Sequence, residues 1–330
     1  MTDFTPVLLA LGKLFLLISI GFAVFRFSYM RDHFLKPILW ITMNVLLPVY
    51  SVYYFSAGWD DAIGNGPHWM VIFFGACIVL IALQVLIGRL FVSVTPHLSE
   101  NRKRDMTVLI GMHNAGYLPL PLLTPIVPDS VIVYVLFFLL AFMLLFWTIA
   151  VGYIGAEKEN GRFRFKLNMP LIGIIIGLVT ALTGSFKYIP HSIVIPMKWT
   201  ADVGINLIVV VLGGVLASIP QHQLHFQKKF IGVIITKMIL FPLLIIGVMA
   251  LAPIEQLVVN AADPKMLAKY IRLVMIVEAA APPATNLIIV SKVFGTDDQV
   301  AFMGNGILHT YIAAVITMPV FVAISLVIFP

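Results

Sequence analysis

The sequence predicts an all-α polytopic membrane protein, because its composition is strongly apolar and its apolar runs are long. Of the 330 residues, 61% are hydrophobic and only 11% are charged, whereas a soluble domain carries roughly 25% charged residues. The apolar runs extend over about 20 residues, the length that an α-helix needs to cross a bilayer. A membrane β-barrel would instead alternate polar and apolar residues in segments of about 10. The single cysteine, Cys77, excludes a disulfide scaffold.

Ten apolar windows are predicted to be transmembrane helices, and polar residues or prolines separate them. They cover residues 6–27, 34–56, 69–95, 106–126, 130–154, 169–189, 196–219, 227–251, 270–291 and 298–329. The amino end lacks the basic stretch of a signal peptide, so the first window is expected to be a span and not a cleaved leader.

Basic residues at the ends of these windows predict the orientation of the chain. Five lie at one set of ends, namely Lys187, Lys198, Lys265, Lys269 and Arg272. Fourteen lie at the opposite ends, namely Arg26, Arg31, Lys36, Arg89, Arg102, Lys103, Arg104, Lys158, Arg162, Arg164, Lys166, Lys228, Lys229 and Lys292. Because cytoplasmic loops carry the excess of Lys and Arg, the larger set is predicted to be cytoplasmic. Both termini are then expected outside the cell membrane.

The chain is predicted to consist of two five-helix halves, residues 1–154 and 169–330, joined by a basic cytoplasmic linker, residues 155–168. With an odd number of spans in each half, a shared fold requires the second half to be inserted upside down. An offset of 164 residues places Pro6 on Pro170 and Pro119 on Pro283. We therefore expect two inverted repeats.

The fourth and ninth windows are predicted to be broken helices that cross, because each contains two closely spaced prolines. Pro119 and Pro121 lie in the fourth window, and Pro282 and Pro283 lie in the ninth. Proline has no N–H and its ring clashes with the preceding turn, and the freed backbone groups need protein, water or a ligand as partners. Corresponding interrupted spans in two halves indicate a transporter binding site. A purely mechanical kink is the alternative.

Polar residues beside these breaks are the predicted site. Asn114 and Glu278 are each the ninth residue of their window, roughly 12 Å deep at about 1.5 Å per residue. An ionisable residue at this depth marks a functional site by default. Glu278 is therefore predicted to couple transport to a proton or to a sodium ion bound nearby, with a structural hydrogen bond as the alternative. Asn114 and Asn286 are suited to binding a carboxylate or an ion, or to contacts between helices.

Four further polar residues are secondary candidates. His113 is adjacent to Asn114, and Asn44 and Asn206 lie in the second helix of each half; packing is the alternative for all three. Lys237 is either a countercharge for Glu278 or for an anion, or a side chain that extends to the cytoplasmic surface.

Five segments, taken in their order and spacing, are typical of one transporter family. They are Asn44-Val-Leu-Leu-Pro48, Asn114-Ala-Gly-Tyr-Leu-Pro-Leu-Pro121, Asn168-Met-Pro-Leu-Ile172, Lys237-Met-Ile-Leu-Phe-Pro242 and Ala281-Pro-Pro-Ala-Thr-Asn286. Through them the whole chain resembles the auxin efflux carrier family, the prokaryotic relatives of plant PIN auxin exporters, which includes malonate- and malate-permease-like proteins.

The resemblance implies a scaffold domain, a transport domain and crossed fourth and ninth helices, similar to those of the NhaA antiporter and the bile-acid symporters. It also implies transport of small organic anions. The substrate-binding candidates at the two breaks are Asn114, Gly116, Pro119, Pro121, Pro282, Pro283, Thr285 and Asn286. The third window has only Gln84 and Arg89 where plant members have an acidic and a basic residue one turn apart, and the long central loop is absent. The departure in the third window argues against auxin itself.

The sequence thus predicts a secondary active transporter that moves a small organic anion (a carboxylate, auxin-like or dicarboxylate) by alternating access. The alternatives are a sodium-coupled bile-acid-type symporter, a passive channel or sensor on the same fold, and a membrane-embedded enzyme. Because the sequence contains neither a zinc-protease motif nor a phosphate-binding loop, we expect no enzyme activity and no cofactor beyond coupled sodium or protons. The expected partners are the anion, the lipid bilayer and a second copy in a homodimer, but not nucleic acid.

Overall fold

The computed structural model describes residues 5–96, 98–155, 168–219, 228–258 and 261–329, and this part of the chain is almost entirely helical. In chain order, helices α1 to α14 are Thr5–Arg26, Ser28–Ala57, Trp59–Gly64, His68–Val94, Glu100–Gly111, Pro119–Leu123, Asp129–Ile154, Met169–Leu182, His191–Ala217, Phe230–Leu251, Ile254–Leu257, Pro264–Ala280, Asn286–Phe294 and Asp297–Ile328. Residues 156–167 of the predicted linker, and the polar stretch at residues 221–223, lie outside the described residues.

Seven of the described helices are long and apolar enough to cross a membrane, namely α1, α2, α4, α7, α9, α10 and α14. Helix α8 is apolar but has only 14 residues. The predicted fourth and ninth windows are each divided, into α5 and α6 and into α12 and α13. A multi-pass, helical membrane protein is therefore confirmed, whereas the number of ten spans and the inverted repeats stay predictions.

The sixth window is shorter in the structure than the sequence predicts. It was expected to extend to residue 189, but α8 ends at Leu182. Gly184 follows with a φ of 61°, and a 3-10 turn, Ser185–Tyr188, leads on to α9. A left-handed glycine after the last turn is a common helix terminator, since glycine has no Cβ to clash there.

In two of the long helices, α2 and α10, single prolines are accompanied by locally wider helical turns and do not break the helix. The described residues include three π-helical turns, at Arg31–Leu35 and Thr42–Leu46 in α2 and at Ile235–Leu240 in α10. Pro37, Pro48 and Pro242 are each the second residue after one of these turns. A proline cannot donate to the carbonyl four residues earlier, and its ring crowds that carbonyl. The wider π turn accommodates the misfit, so the helix continues.

The helices form two groups. In the first, which we call the scaffold group, α1 lies along α9, α2 lies along α8, and α2 also contacts α9. In the second, the crossover group, α4 packs on α5 and α7, and α12 packs on α10 and α14. The short helix α6 and the long helix α7 contact members of both groups. These two helices therefore lie at the interface between the groups.

Glycines bring the scaffold backbones unusually close together. A Cβ atom placed on Gly21 of α1 would lie 1.9 Å from the carbonyl oxygen of Val210 in α9. On Gly213 it would lie 2.1 Å from the carbonyl oxygen of Ile18. Membrane helices associate through such small residues, because close approach maximises van der Waals contact where lipid offers no hydrophobic driving force.

Ion pairs connect helix ends in the crossover group. Arg102 of α5 contacts Asp298 of α14 and lies 3.1 Å from Asp105 of its own helix, which also accepts a hydrogen bond from Gln299. Arg272 of α12 donates two hydrogen bonds to the carboxylate of Glu255 in α11. Two neighbouring segments are fixed to each other at each of these positions.

The Glu255–Arg272 pair is expected to stabilise the protein at neutral pH and to lose this effect in acid. The hydrogen bonds from Arg272 lower the pKa of Glu255 from 4.5 to about 2. A carboxyl whose pKa is lower in the folded state stabilises that state above the unfolded pKa, and the gain disappears as the pH falls towards the folded value. The effect should be modest, because the Glu255 side chain is 59% exposed and solvent screens it.

Melting curves of the parent and of Glu255→Gln between pH 6 and pH 3 test this prediction. The parent should melt higher at pH 6, and the difference should shrink as the pH is lowered. A difference that stays constant over this range would show that the ion pair does not cause it.

Candidate functional site

The two helix breaks lie side by side inside the crossover group. Helix α5 ends at Gly111 and helix α12 ends at Ala280, and the backbone of the next residue is extended in both cases. After α5 the chain turns into α6, whose first residue is Pro119. The fixed φ angle of proline suits the first position of a helix, where the missing N–H costs no hydrogen bond.

A pair of antiparallel backbone hydrogen bonds joins the two breaks. They run from Asn114 N to Pro282 O at 2.8 Å and from Ala284 N to Met112 O at 2.9 Å. His113 and Pro283 face each other between them. Because this is a pair that exchanges no hydrogen bonds, the missing N–H of Pro283 removes nothing from the pairing. Each break thus provides hydrogen-bond partners for backbone groups that the other break leaves free. Hydrocarbon cannot provide such partners.

The side chain of Asn114 fixes the shape of the first break. Its Nδ2 atom donates to the hydroxyl of Tyr311 at 2.6 Å, and its Oδ1 atom accepts from the backbone N–H of Tyr117 at 3.0 Å. Both ends of the amide are therefore engaged within the protein. Asn114 lies at the predicted site, but in this state it holds the turn in place.

A cavity of about 140 Å³ lies beside the crossing, between the two helix groups. Residues of both breaks, of α2, of α7 and of the start of α8 line it: Met43, Asn114, Gly116, Tyr117, Leu139, Phe142, Met143, Phe146, Trp147, Asn168, Pro170, Ala284, Thr285, Asn286 and Ile289. The lining is apolar and aromatic apart from amide and hydroxyl groups, and none of these lining residues carries a charge. Apolar walls with a few polar groups are typical of small-molecule sites.

The start of α13 is part of the cavity wall. Asn286 is its first residue and Thr285 precedes it, and both line the cavity. The N–H groups of Leu287 and Ile288 donate to the carbonyls of Ala284 and Thr285 just before the helix. The aligned peptide dipoles still give this end of α13 a partial positive charge. This wall can therefore hold an anionic group without a cationic side chain.

Tyr117 separates this cavity from a smaller one of about 30 Å³, and Tyr117, Thr285 and Asn286 line both. Its hydroxyl accepts a hydrogen bond from Asn286 Nδ2 at 3.2 Å and donates to Met43 Sδ at 3.2 Å. Since Met43 belongs to α2, this chain of contacts connects the crossover group to the scaffold group.

Glu278 does not line the cavity but belongs to a fully buried polar cluster formed with Gln84, His113 and Lys237. Its Oε2 atom lies 3.5 Å from His113 Nε2. Within the described part of the chain, neither carboxylate oxygen has a hydrogen-bond partner of good geometry, and neither does His113 Nε2. A buried carboxylate without donors is costly, which makes this cluster a strong candidate for function.

Lys237 reaches the cluster from the π turn of α10. The Gln84 amide is assigned the orientation in which its oxygen faces Lys237, and the ammonium then lies 2.6 Å from this oxygen. The ammonium also lies 3.5 Å from the carbonyl oxygen of Ala279. It also lies over the ring of Phe241, 5.3 Å from the ring centre. Ala279 is in the last turn of α12, where unpaired carbonyls carry a partial negative charge. The positive charge of Lys237 thus offsets the negative charge of Glu278 and the partial negative charge at the end of α12.

Gln84 of α4 donates in a similar way to the carboxyl end of the other broken helix, α5. In the same orientation its amide nitrogen donates to the carbonyl of Gly111, the last residue of α5, at 3.0 Å, and to His113 Nδ1 at 3.1 Å. Side chains of two long helices, α4 and α10, therefore supply donors to the carboxyl ends of the two broken helices.

The structure brings most of the predicted site residues together. Gly116, Thr285 and Asn286 line the cavity beside Asn114. Four prolines shape the breaks but do not line the cavity: Pro119, Pro121, Pro282 and Pro283. Asn44 and Asn206 do not line the cavity, and their amides donate to carbonyls of their own helices.

Sequence reasoning missed two tyrosines and one glutamine. Tyr117 lies between Gly116 and the first proline of its segment, so its place in the motif was a signal. Tyr311 lies in α14, and only the folded chain shows that it contacts Asn114. Gln84 was noted only as a departure from the plant pattern, although a buried amide in an apolar span is itself a signal.

Paired broken helices that border an inner cavity, within a bundle of apolar helices, define a membrane protein suited to moving small molecules. Residues 164–322 match the family model described as "Membrane transport protein". This stretch is just under half of the chain, and its match supports the resemblance to the auxin efflux carrier family found in the sequence. The match thus favours a membrane transporter. No curated protein matches it.

Proposed function

We propose that the protein is a secondary active transporter that moves a small organic anion by alternating access and is coupled to protons through Glu278. The observation that carries this proposal is the pairing of two broken helices between an uncharged cavity and a buried carboxylate cluster. The cavity and the carboxylate cluster lie at the same two breaks. Substrate in the cavity can therefore influence the protonation of the cluster, and protonation can influence substrate binding.

The cavity favours a monocarboxylate with a flat apolar body. A cavity of about 150 Å³ admits a molecule the size of benzene, which is close to the 140 Å³ available here. The rings of Phe142, Phe146 and Trp147 would contact the body of such a substrate. Its carboxylate would lie against the start of α13, near the amide of Asn286. A second carboxylate would have no positive partner among the lining residues, which disfavours a dicarboxylate.

The surroundings of Glu278 favour a proton over a sodium ion. Carboxylate, carbonyl and water oxygens are the ligands of hard cations, but the imidazole of His113 lies 3.5 Å from the Glu278 carboxylate and Lys237 brings a positive charge to the same cluster. A positive charge close by repels a metal ion. A proton can be held by either Glu278 or His113.

His113 and Asn114 provide a physical route for coupling. They are consecutive residues in an extended backbone, so their side chains point to opposite faces. His113 faces the carboxylate cluster, and Asn114 faces the cavity. A change of protonation at the cluster would move the break, and with it the cavity wall. Two ligands coupled through one structural element influence each other's affinity reciprocally.

Movement of the crossover group against the scaffold group would expose the cavity to either side of the membrane. Helices α6 and α7 lie at the interface that would move. Side-chain hydrogen bonds between α2 and the crossover group include Tyr117 to Met43 and Tyr50 to Thr124. Each can break and reform without exposing a charge.

Uptake into proteoliposomes tests the proposal. Radiolabelled benzoate and phenylacetate are compared with malonate and malate, under an imposed pH gradient or an imposed sodium gradient at clamped membrane potential. The pH gradient should drive accumulation of the aromatic monocarboxylates. Accumulation driven by sodium alone would instead identify a sodium symporter. Equilibration without accumulation would indicate a channel, and absence of uptake for all four would contradict an organic-anion carrier of this size class.

Replacing Tyr117 with phenylalanine should weaken substrate binding. The change keeps the ring but removes the hydroxyl that orients Asn286, so KM should rise while kcat changes little. Loss of the two hydrogen bonds of this hydroxyl, one of them the weak bond to the Met43 sulfur, should also lower the free energy of unfolding by about 1–2 kcal/mol. Tyr134→Phe is the matched control, because its buried hydroxyl bonds to the carbonyl of Ala62 away from the cavity. It should lose similar stability with an unchanged KM, and an equal rise in KM for both variants would contradict the role of Tyr117.

A further inference from the structure

Cations on the predicted outer face gather around one cleft. Lys265, Lys269 and Arg272 of α12 line a cleft of about 640 Å³, bounded by the ends of α10 and α14. They are three of the five basic residues predicted for that face. Glu255 is the one acidic residue among those that line the cleft. Its lining therefore has a surplus of two positive charges on a face that is otherwise poor in them.

The position of these cations is unfavourable for the isolated helix. Their spacing of four and three residues places them on one face of α12. Lys265 is the second residue of α12, in the first turn, where the helix dipole already supplies positive charge and disfavours cations. Lys269 lies one turn further on, beside Lys265 on the same face. Glu255 is engaged with Arg272, and neither lysine forms an ion pair with a residue that the structure describes. A bound anion would remove this repulsion.

The rim of the cleft is apolar and exposed. Ile328 lines the cleft, and Leu251 lies between two of its lining residues, Ala250 and Ala252. Ile328 is 48% exposed and Leu251 is 89% exposed, and they end α14 and α10. Cations at the ends of membrane helices lie at the level of the lipid head groups, and apolar side chains beside them contact acyl chains. A soluble anion would use the cations but not this rim.

We infer that the cleft binds a phosphate group through Lys265 and Lys269, and that an anionic phospholipid presents it. Each lysine near an anionic lipid contributes about 1 kcal/mol. Replacing both should therefore weaken binding of the lipid about thirty-fold, which corresponds to ~2 kcal/mol at 1.4 kcal/mol per tenfold. This inference is independent of the transported substrate.

The test compares the delipidated parent with Lys265→Gln/Lys269→Gln and with Lys187→Gln/Lys198→Gln, a matched pair on the same predicted face. Melting temperatures are titrated with phosphatidylglycerol, with phosphatidylcholine and with glycerol 3-phosphate. Phosphatidylglycerol should stabilise the parent and the matched pair, with a roughly thirty-fold weaker effect on the cleft variant. Equal stabilisation of all three proteins, or equal effects of the two lipids, would overturn the inference. Stabilisation by glycerol 3-phosphate at similar concentrations would overturn the lipid as the source.

Discussion

Glu278→Gln is expected to reduce strongly the accumulation of substrate against its gradient. The substitution keeps the volume of the side chain but removes the ionisable group from the cluster with His113 and Lys237. Coupling between two sites typically changes affinity 5- to 150-fold, so accumulation driven by pH should fall by about that factor. Exchange of labelled for unlabelled substrate should persist, because the cavity itself is unchanged. The measurement is the ratio of internal to external substrate in proteoliposomes at a fixed pH gradient.

The control for this experiment is Glu255→Gln, which neutralises a carboxylate outside the cluster. It should accumulate substrate like the parent. A second measurement, the melting temperature, separates loss of coupling from loss of folding. If Glu278→Gln folds and accumulates substrate like the parent under a pH gradient, the proton does not travel through this residue.

Gly21→Ala is expected to destabilise the scaffold group severely. The new methyl group would lie 1.9 Å from the carbonyl oxygen of Val210, so α1 and α9 would have to separate along their contact. Overpacking of this kind costs typically about 1–3 kcal/mol, and sometimes more. Gly12→Ala on the same helix is the matched control, because nothing lies within 4 Å of its Cβ position. It should be neutral or slightly stabilising, since alanine favours helix.

Melting temperatures in detergent, followed by tryptophan fluorescence, compare the two glycine variants. A lower melting temperature for Gly21→Ala alone is the expected result. If both variants melt like the parent, α1 and α9 are not as close as the structure places them.

The sequence was informative where one physical property decides the outcome. Hydropathy placed the long helices to within a few residues, except where Gly184 ends α8 early. Paired prolines located both breaks, because a missing N–H has the same consequence in any environment. The effect of the single prolines Pro48 and Pro242 was less predictable. A π turn before each proline lets the helix continue, and whether such a turn forms depends on the packing around the helix.

The arrangement of the site could not be predicted in the same detail. Asn114 and Glu278 were expected to share one site, but they belong to opposite sides of the crossing. The reason is the extended backbone after Gly111, which alternates side chains between two faces, whereas the sequence suggested a helix. The contact of Tyr311 with Asn114 joins residues 197 positions apart, and the Glu255–Arg272 pair joins two different helices, so no pattern within one helix predicts either contact.

The close approach of α1 and α9 at their glycines has a mechanical consequence. Where a glycine meets the backbone of the other helix, as Gly21 meets Val210 and Gly213 meets Ile18, there is no side chain that can change rotamer, so this contact resists sliding. The lining of the cavity, by contrast, contains Met43 and Met143, whose flexible thioethers repack at little cost. The contact between α1 and α9 is therefore stiff, whereas the methionine-lined surface of the cavity is compliant. Any displacement during turnover should be concentrated on the methionine-lined surface.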